Sequence, residues 1–178
     1  IWKECVDVDF MYFLNSPRKL DSAALKFFIN DLNELIIQLE EHFNIKITEE
    51  DLRENIKKMN IIRKLLREIS NNRKQMVLSG SEFYGIVKNV KVSNKDDAIN
   101  LLKAKQEELK QRQPFSKKDY KKILLTGSDL DDTEFIRYIE SLGFQVIIDD
   151  LGVGTKYFWE SVDETGDPLE AIAKYHMS

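Results

Sequence analysis

Residues 123–150 read Ile-Leu-Leu-Thr-Gly-Ser-Asp-Leu-Asp-Asp-Thr-Glu-Phe-Ile-Arg-Tyr-Ile-Glu-Ser-Leu-Gly-Phe-Gln-Val-Ile-Ile-Asp-Asp. The apolar run Ile123–Thr126 predicts a short strand that stops at Gly127-Ser128. Phe135, Ile136, Ile139 and Leu142 follow at helical spacing, and Gly143 is a helix-ending glycine. Phe144–Ile148 predicts a second strand, with Asp149-Asp150 after it. Strand, helix and strand in this order make one unit of a parallel sheet with a right-handed crossover. The fold class is therefore α/β. Two strands do not hold a parallel sheet by themselves. Further strands are expected either beyond Ser178 or from the aromatic run at 8–14.

The chain before this unit is dominated by helical patterns. Val8–Leu14 is a short apolar run closed by Asn15, Ser16 and Pro17, and it predicts a buried strand ending in a turn. Asp21 is an N-cap for a helix carrying Leu25, Phe28, Ile29, Leu32, Leu35, Ile36, Leu39 and Phe43. Asn44 ends it. Thr48 starts a second long helix, with Glu49, Glu50 and Asp51 in the first turn, where the helix dipole favours them. Its apolar positions are Leu52, Ile56, Met59, Leu66 and Ile69. The short link predicts an antiparallel helical hairpin. Ser79-Gly80-Ser81 starts a short helix near 81–90. Asn94 and Asp97 resemble a capping box for a further helix to about Arg112, with Ile99, Leu102, Ala104 and Leu109 inward. Pro114 ends that helix, and Lys117, Lys118, Lys121 and Lys122 read as a polar linker. Beyond Asp150, helical stretches are predicted near 155–161 and from Asp167-Pro168 to Tyr175, with Pro at the first helical position.

Composition sets limits on function. The 178 residues contain 42% hydrophobic and 33% charged residues, a globular and helix-leaning balance. The single cysteine, Cys5, excludes an internal disulfide framework and a self-contained Cys₄ cluster site. No run of about 18 apolar residues is present, which points to a soluble cytoplasmic protein with no membrane span. Net charge is −4, so a nucleic-acid partner is not expected. The chain begins at Ile1 without Met or a leader pattern, and we expect it to be part of a longer protein.

In open parallel α/β sheets, ligands gather beyond the carboxyl ends of the strands. Here these ends carry Thr126-Gly127-Ser128-Asp129 and Asp149-Asp150-Leu151-Gly152. The first is either a plain turn or an anion contact made by backbone amides at a helix start. It is neither a dinucleotide fingerprint nor a P-loop. Residues 127–170 hold twelve acidic side chains against Arg137 and Lys156 alone, so a polyphosphate needs cations from another chain. Asp149-Asp150 has the chemistry of a carboxylate pair or hard-metal site, but neighbouring strand residues point to opposite faces. Asn60 and Arg63 interrupt the apolar face of the second helix. A buried Arg63 needs a partner, either a carboxylate in the hairpin or an anionic ligand. His42 is placed to meet carbonyls at a helix end, and His176 has no ligand-spaced neighbour. Cys5 reads as a buried, inert thiol.

The ordered set of features resembles the 2-hydroxyacyl-CoA dehydratase and benzoyl-CoA reductase family. Phe13-Leu14-Asn15-Ser16-Pro17-Arg18 is similar to the family's strand ending in Leu-Pro-Arg, with Asn-Ser inserted. Leu39-Glu40-Glu41, Ile47–Glu50 and Leu52 are similar to its helical hairpin. Ile56 to Arg63 resembles its Ile-x-x-x-Asn-x-x-Arg pattern, and Leu78–Glu82 its Ser-Gly turn. Ile123 to Ser128 and Glu140 to Gly143 lead to Asp149-Asp150-Leu151-x-x-Gly154-Thr155-Lys156-Tyr157-Phe158-Trp159, where the family usually has Arg at Lys156. Asp167–Ala171 closes the likeness.

The resemblance implies a helix-rich α/β fold: a long helical hairpin and part of a Rossmann-like parallel sheet. Residues 1–20 would end a first α/β domain, 21–113 form a helical connection, and 114–178 begin a second Rossmann-like domain. It implies a subunit of an iron–sulfur enzyme that removes water from a 2-hydroxyacyl-CoA through a ketyl radical. The implied partners are a related second subunit, an ATP-dependent activator protein that donates one electron, and the acyl-CoA. A 4Fe-4S cluster belongs to the intact protein, and no cluster role passes to Cys5. By position, Arg18, Gly127, Ser128, Asp150, Gly154 and Lys156 are the candidate substrate contacts. A benzoyl-CoA reductase subunit and a non-catalytic nucleotide-binding or subunit-docking module are the alternatives.

Overall fold

The structure is a computed structural model that describes residues 5–115, 120–130 and 132–177. The helices are α1 (Ser22–Phe43), α2 (Glu49–Lys74), α3 (Gly80–Val92), α4 (Lys95–Gln111), α5 (Thr133–Ser141), α6 (Thr155–Phe158) and α7 (Pro168–Met177). The strands are β1 (Lys121–Thr126) and β2 (Phe144–Asp150). This is the expected helix-rich α/β composition. By backbone contacts the chain divides into two compact units, one of Ile1–Lys57 with Val162–Ser178, the other of Lys58–Ser161. Among the described residues, no helix is long and apolar enough to cross a membrane.

In the first unit, Asp21 caps α1 by accepting from the Ala24 amide at 2.8 Å. Asn44 ends the helix in the left-handed region (φ 50°) and donates its amide to the Glu40 carbonyl. The link to α2 is held by the Glu40 carboxylate, which accepts from the Ile47 amide at 2.7 Å and pairs with Lys46 at 3.0 Å. Thr48 and Asp51 then cap α2 reciprocally: the Thr48 hydroxyl and amide donate to the Asp51 carboxylate, and the Asp51 amide donates to Thr48 Oγ1. α1 packs along α7, where buried Phe28 stacks on His176 with ring centres 5.2 Å apart. Pro168 opens α7, and Asp167 accepts from the Glu170 amide at 2.7 Å.

The run at 8–14 is not a strand. It is irregular, and Phe13 is 79% exposed. Among the described residues the sheet has two strands, β1 and β2, so no edge pairs with this run. Side chains hold it instead. The Tyr12 hydroxyl donates to the Asp31 carboxylate at 2.8 Å, and the Asn15 amide donates to the same group at 2.6 Å. That carboxylate bond raises the Tyr12 pKa to about 12. Phe10 packs against His42 and Phe43, so the described contacts of His42 are aromatic. Cys5 is exposed, not buried.

In the second unit, α2 supplies Ile62, Leu66 and Ile69 to a core shared with Phe83 and Val87 of α3, Leu102 and Leu109 of α4, Ile136 of α5 and Val146 of β2. Ser79 caps α3 by accepting from the Glu82 amide, and Asn94 caps α4 by accepting from the Asp97 amide. Ala98 is buried on α4, whereas Ala104, expected inward, is exposed. Glu82 ties α3 to α4 through Arg112 and Lys105, each at 2.8 Å. Burial works against the Glu82 charge, but these two bonds outweigh it and hold its pKa below the usual range.

Lys121 and Lys122 are the first residues of β1, not linker. Lys117 and Lys118 lie outside the described residues. β1 and β2 are parallel, from Lys121 opposite Phe144 to Thr126 opposite Asp150. The register jumps where Ile123 faces Val146 and Leu124 faces Ile148, leaving Ile147 as the extra residue on β2. α5 joins the strands, and Gly143 (φ 89°) makes the turn out of it in a conformation that side chains disfavour. Phe135 and Leu142 of the α5 pattern are about half exposed, at 47% and 58%.

The contact between α3 and β2 depends on Gly80. A Cβ there would stand 2.7 Å from the Val146 Cβ and 3.1 Å from the Val146 carbonyl oxygen. Gly85, in the middle of α3, has nothing within 4 Å of its Cβ position. Gly80→Ala should cost about 1–3 kcal/mol through overpacking, and Gly85→Ala should gain about 0.5–1 kcal/mol from helix propensity. Urea unfolding of the two variants beside the parent measures both signs.

A pH dependence follows from the α1–α2 link. The Ile47 amide, with Lys46, holds the Glu40 pKa below 4.5, and the Thr48 hydroxyl and amide hold that of Asp51 below 3.8. A group with a depressed folded pKa contributes stability above its unfolded pKa and loses it as pH falls through the folded value. The parent should therefore lose stability from these groups below about pH 4.5. A Glu40→Gln/Asp51→Asn double variant should show a shallower acid limb in thermal melts, with the two proteins converging toward pH 2.

Candidate functional site

The loops after β1 and β2 lie against each other in the second unit. Gly127 and Ser128 are exposed, and the Cβ position of Gly127 is 3.6 Å from Leu151 Cδ2. A Cβ on Gly152 would meet Asp129 Oδ1, the end of an exposed side chain that would have to turn aside. At the start of α5, the Asp132 carboxylate accepts from the Glu134 amide at 2.8 Å, so the helix start carries its own anion. Asp131, just before Asp132, lies outside the described residues.

Asp149 and Asp150 have opposite environments. Asp149 is buried, and its side chain pairs with Arg73 of α2 at 2.7 Å, the two side chains being 0% and 1% exposed. The same carboxylate accepts from the Thr155 amide at 2.7 Å and the Thr155 hydroxyl at 3.0 Å. Arg73 also donates to Ser70 Oγ at 2.6 Å, and its guanidinium lies 4.1 Å from the Phe83 ring centre. Gly154 closes over this group: a Cβ would collide with the Asp149 carboxylate and stand 2.5 Å from Tyr84 Oη. The Tyr84 hydroxyl is buried without a hydrogen bond. Burial first, and then the Asp149 charge, push its pKa far up, so it stays protonated.

Asp150 is exposed and pairs with Lys156 at 3.3 Å across the loop. The structure thus brings together Asp150, Gly154 and Lys156 on one loop, with Gly127 and Ser128 on the neighbouring one. Arg18 is exposed and belongs to the other compact unit. Arg63 is buried and donates to Asn60 Oδ1 at 3.1 Å, one turn away on α2. The Ser79-Gly80-Ser81 turn receives Glu140: its carboxylate accepts from the Gly80 amide at 2.7 Å and from the Ser81 hydroxyl at 2.7 Å.

Each stretch that carried the resemblance from Leu78 to Trp159 thus meets another across the fold. The family model for the 2-hydroxyglutaryl-CoA dehydratase D-component matches residues 1–178. The chain belongs to this family. A search of curated proteins found no match.

A D-component of this family works beside a partner dehydratase component. The resemblance implies a 4Fe-4S cluster in the intact protein. Such a cluster needs about four thiolates, whereas the chain has one cysteine, and no group of three or more His, Cys, Asp or Glu among the described residues is arranged to hold a metal ion. Asp149 is also committed elsewhere, to Arg73 and Thr155.

Sequence reasoning did not find Arg73. Its neighbours Ser70, Asn71, Asn72 and Lys74 make it look like a solvated cation in a last helical turn. The signal was its phase: Ile62, Leu66, Ile69 and Arg73 fall on one helical face. Tyr84 carried no signal, because its partners come from β2 and the following loop.

Asp149→Ala should cost about 3–5 kcal/mol, since it leaves the Arg73 charge buried without its partner. The double change Arg73→Met/Asp149→Leu should recover most of that loss. Chemical denaturation of the three proteins tests this order.

Proposed function

We propose that this D-component chain contributes to a 2-hydroxyacyl-CoA dehydratase, and that acyl-CoA approaches the loops after β1 and β2. The observation that carries the reading is the family match over the whole 178 residues. The overall reaction converts a 2-hydroxyacyl-CoA into the 2,3-enoyl-CoA and water, with no net oxidation. The one-electron activation is assigned to an ATP-dependent activator protein, and the 4Fe-4S cluster to ligands other than the residues described here. We place the enzyme in the cytoplasm.

The site supports a contributing role in binding. The loops lie at the carboxyl ends of parallel strands, where ligands gather in such sheets. Lys156 is a cation on the second loop, exposed and paired with Asp150. Its ammonium suits a CoA phosphate as a point charge. Gly127 and Ser128 leave the neighbouring loop low and polar, with no bulky side chain to obstruct the thioester arm.

The test uses the complete enzyme with its partner component and activator, purified without oxygen. Formation of enoyl-CoA from a 2-hydroxyacyl-CoA, followed by mass spectrometry, is the expected result. A preparation with iron and partner in place but no CoA-thioester turnover overturns the reading. Lys156→Ala should raise the thioester KM about three- to fivefold with kcat unchanged, the size of one exposed charge contact. Asp150→Asn, which frees the lysine, should shift KM the opposite way. An unchanged KM in both variants removes Lys156 from the site.

A further inference from the structure

The exposed surface of the Leu151–Lys156 loop is set from below by buried atoms. Thr155 is held at two points, its amide and its hydroxyl, both by the Asp149 carboxylate. Asp149 is in turn held by Arg73, which lies 76 positions earlier in the chain. Arg73 has little freedom to move, because Ser70 Oγ takes its second terminal nitrogen and the Phe83 ring lies against its face. Gly154 fits over the carboxylate only because it has no side chain. By contrast, Asp150, Gly152 and Lys156 are exposed on the outer side of the same loop.

A buried ion pair is a poor way to add stability, since apolar residues of the same volume hold a core at least as well. It is a good way to fix direction. The carboxylate has two oxygens with defined acceptor directions, and Arg73 and Thr155 together use both. The loop cannot slide without taking two hydrogen bonds from a buried carboxylate.

We propose that Arg73, acting through Asp149, is a positioning residue for the Leu151–Lys156 loop, holding it in the conformation that receives the CoA thioester. The inference rests on the acyl-CoA reading of this loop.

The test compares Arg73→Lys and Thr155→Val in the complete enzyme with its partner component. The first keeps the charge and loses the planar fork. The second keeps the β-branched shape and the ion pair, and removes one of the two bonds to the loop. Amide hydrogen exchange over residues 150–157 should speed up by at least about tenfold, with β2 and α3 unchanged. The thioester KM should rise about tenfold with kcat held, as expected for a displaced binding loop. Unchanged exchange in this loop overturns the proposal. So does an equal rise across β2 and α3, which marks a general loss of stability. Faster exchange confined to the loop with an unchanged KM keeps the positioning role and overturns the acyl-CoA reading. Should Arg73→Lys fail to fold, the double variant Arg73→Gln/Asp149→Asn, which keeps both shapes without a buried charge, takes its place under the same outcomes.

Discussion

The ion pair between Arg73 and Asp149 joins parts of the second unit that lie 76 positions apart in sequence. It fastens the last turn of α2 to the end of β2, and through Thr155 it fastens β2 to the start of α6. Both charges have left water, which costs several kcal/mol per ion before any attraction is counted. The cost is offset only while every partner is in place. This makes the arrangement intolerant: a small rotation of α2 about its axis would strand both charges. The helix phase set by Ile62, Leu66 and Ile69 and the strand register set by the jump at Ile147 therefore have to agree. Core packing alone would accept several neighbouring phases, because apolar contacts have no direction. The ion pair accepts one.

The same region brings polypeptide elements closer than ordinary side chains allow. Gly80 lets the start of α3 rest on Val146, Gly152 gives way to Asp129, and Gly154 gives way to Asp149 and Tyr84. In each case the glycine leaves room for a carboxylate or a strand. The acidic groups do specific work in these approaches. Glu140 occupies the amides at the start of α3, and Asp132 those at the start of α5. A helix start is electropositive, so a carboxylate there satisfies donors that would otherwise be left without partners.

Much of this was legible in the sequence where the cause is local. Asp21, Thr48, Ser79, Asn94 and Asp167 all cap helices as their residue types suggest, and Asn44 and Gly143 end or follow helices with positive φ. The strand–helix–strand unit was also legible, because alternation and helical spacing are short-range patterns. The run at 8–14 misled for the opposite reason. Its composition suits a strand, yet a strand needs an edge to pair with, and composition does not report one. Tyr12 and Asn15 bond Asp31 instead. Asp149 and Asp150 were legible as a pair that splits to opposite faces, but not as a buried and an exposed member of two separate ion pairs. Arg73 lies 76 positions from Asp149, and nothing between them in sequence signals the contact.

The acidic character of residues 127–170 also changes meaning once the structure is considered. Counting charges suggests a surface hostile to a phosphate-bearing ligand. Several of those carboxylates are committed to helix starts or to cations: Asp132, Glu140 and Asp149 inside the second unit, and Asp150 on Lys156. Their fields are partly cancelled by the amides and guanidinium they bind. What remains at the strand ends is a loop with one ammonium already shared with Asp150. One shared ammonium is too little to balance the phosphates of a CoA. On the acyl-CoA reading, the chain supplies the shaped strand-end loops, and the remaining positive charge has to come from another surface. On the same reading, the partner dehydratase component is the surface expected to supply it. On that reading the site is a shared one, with shape contributed by these loops and much of the phosphate charge balance contributed from outside them.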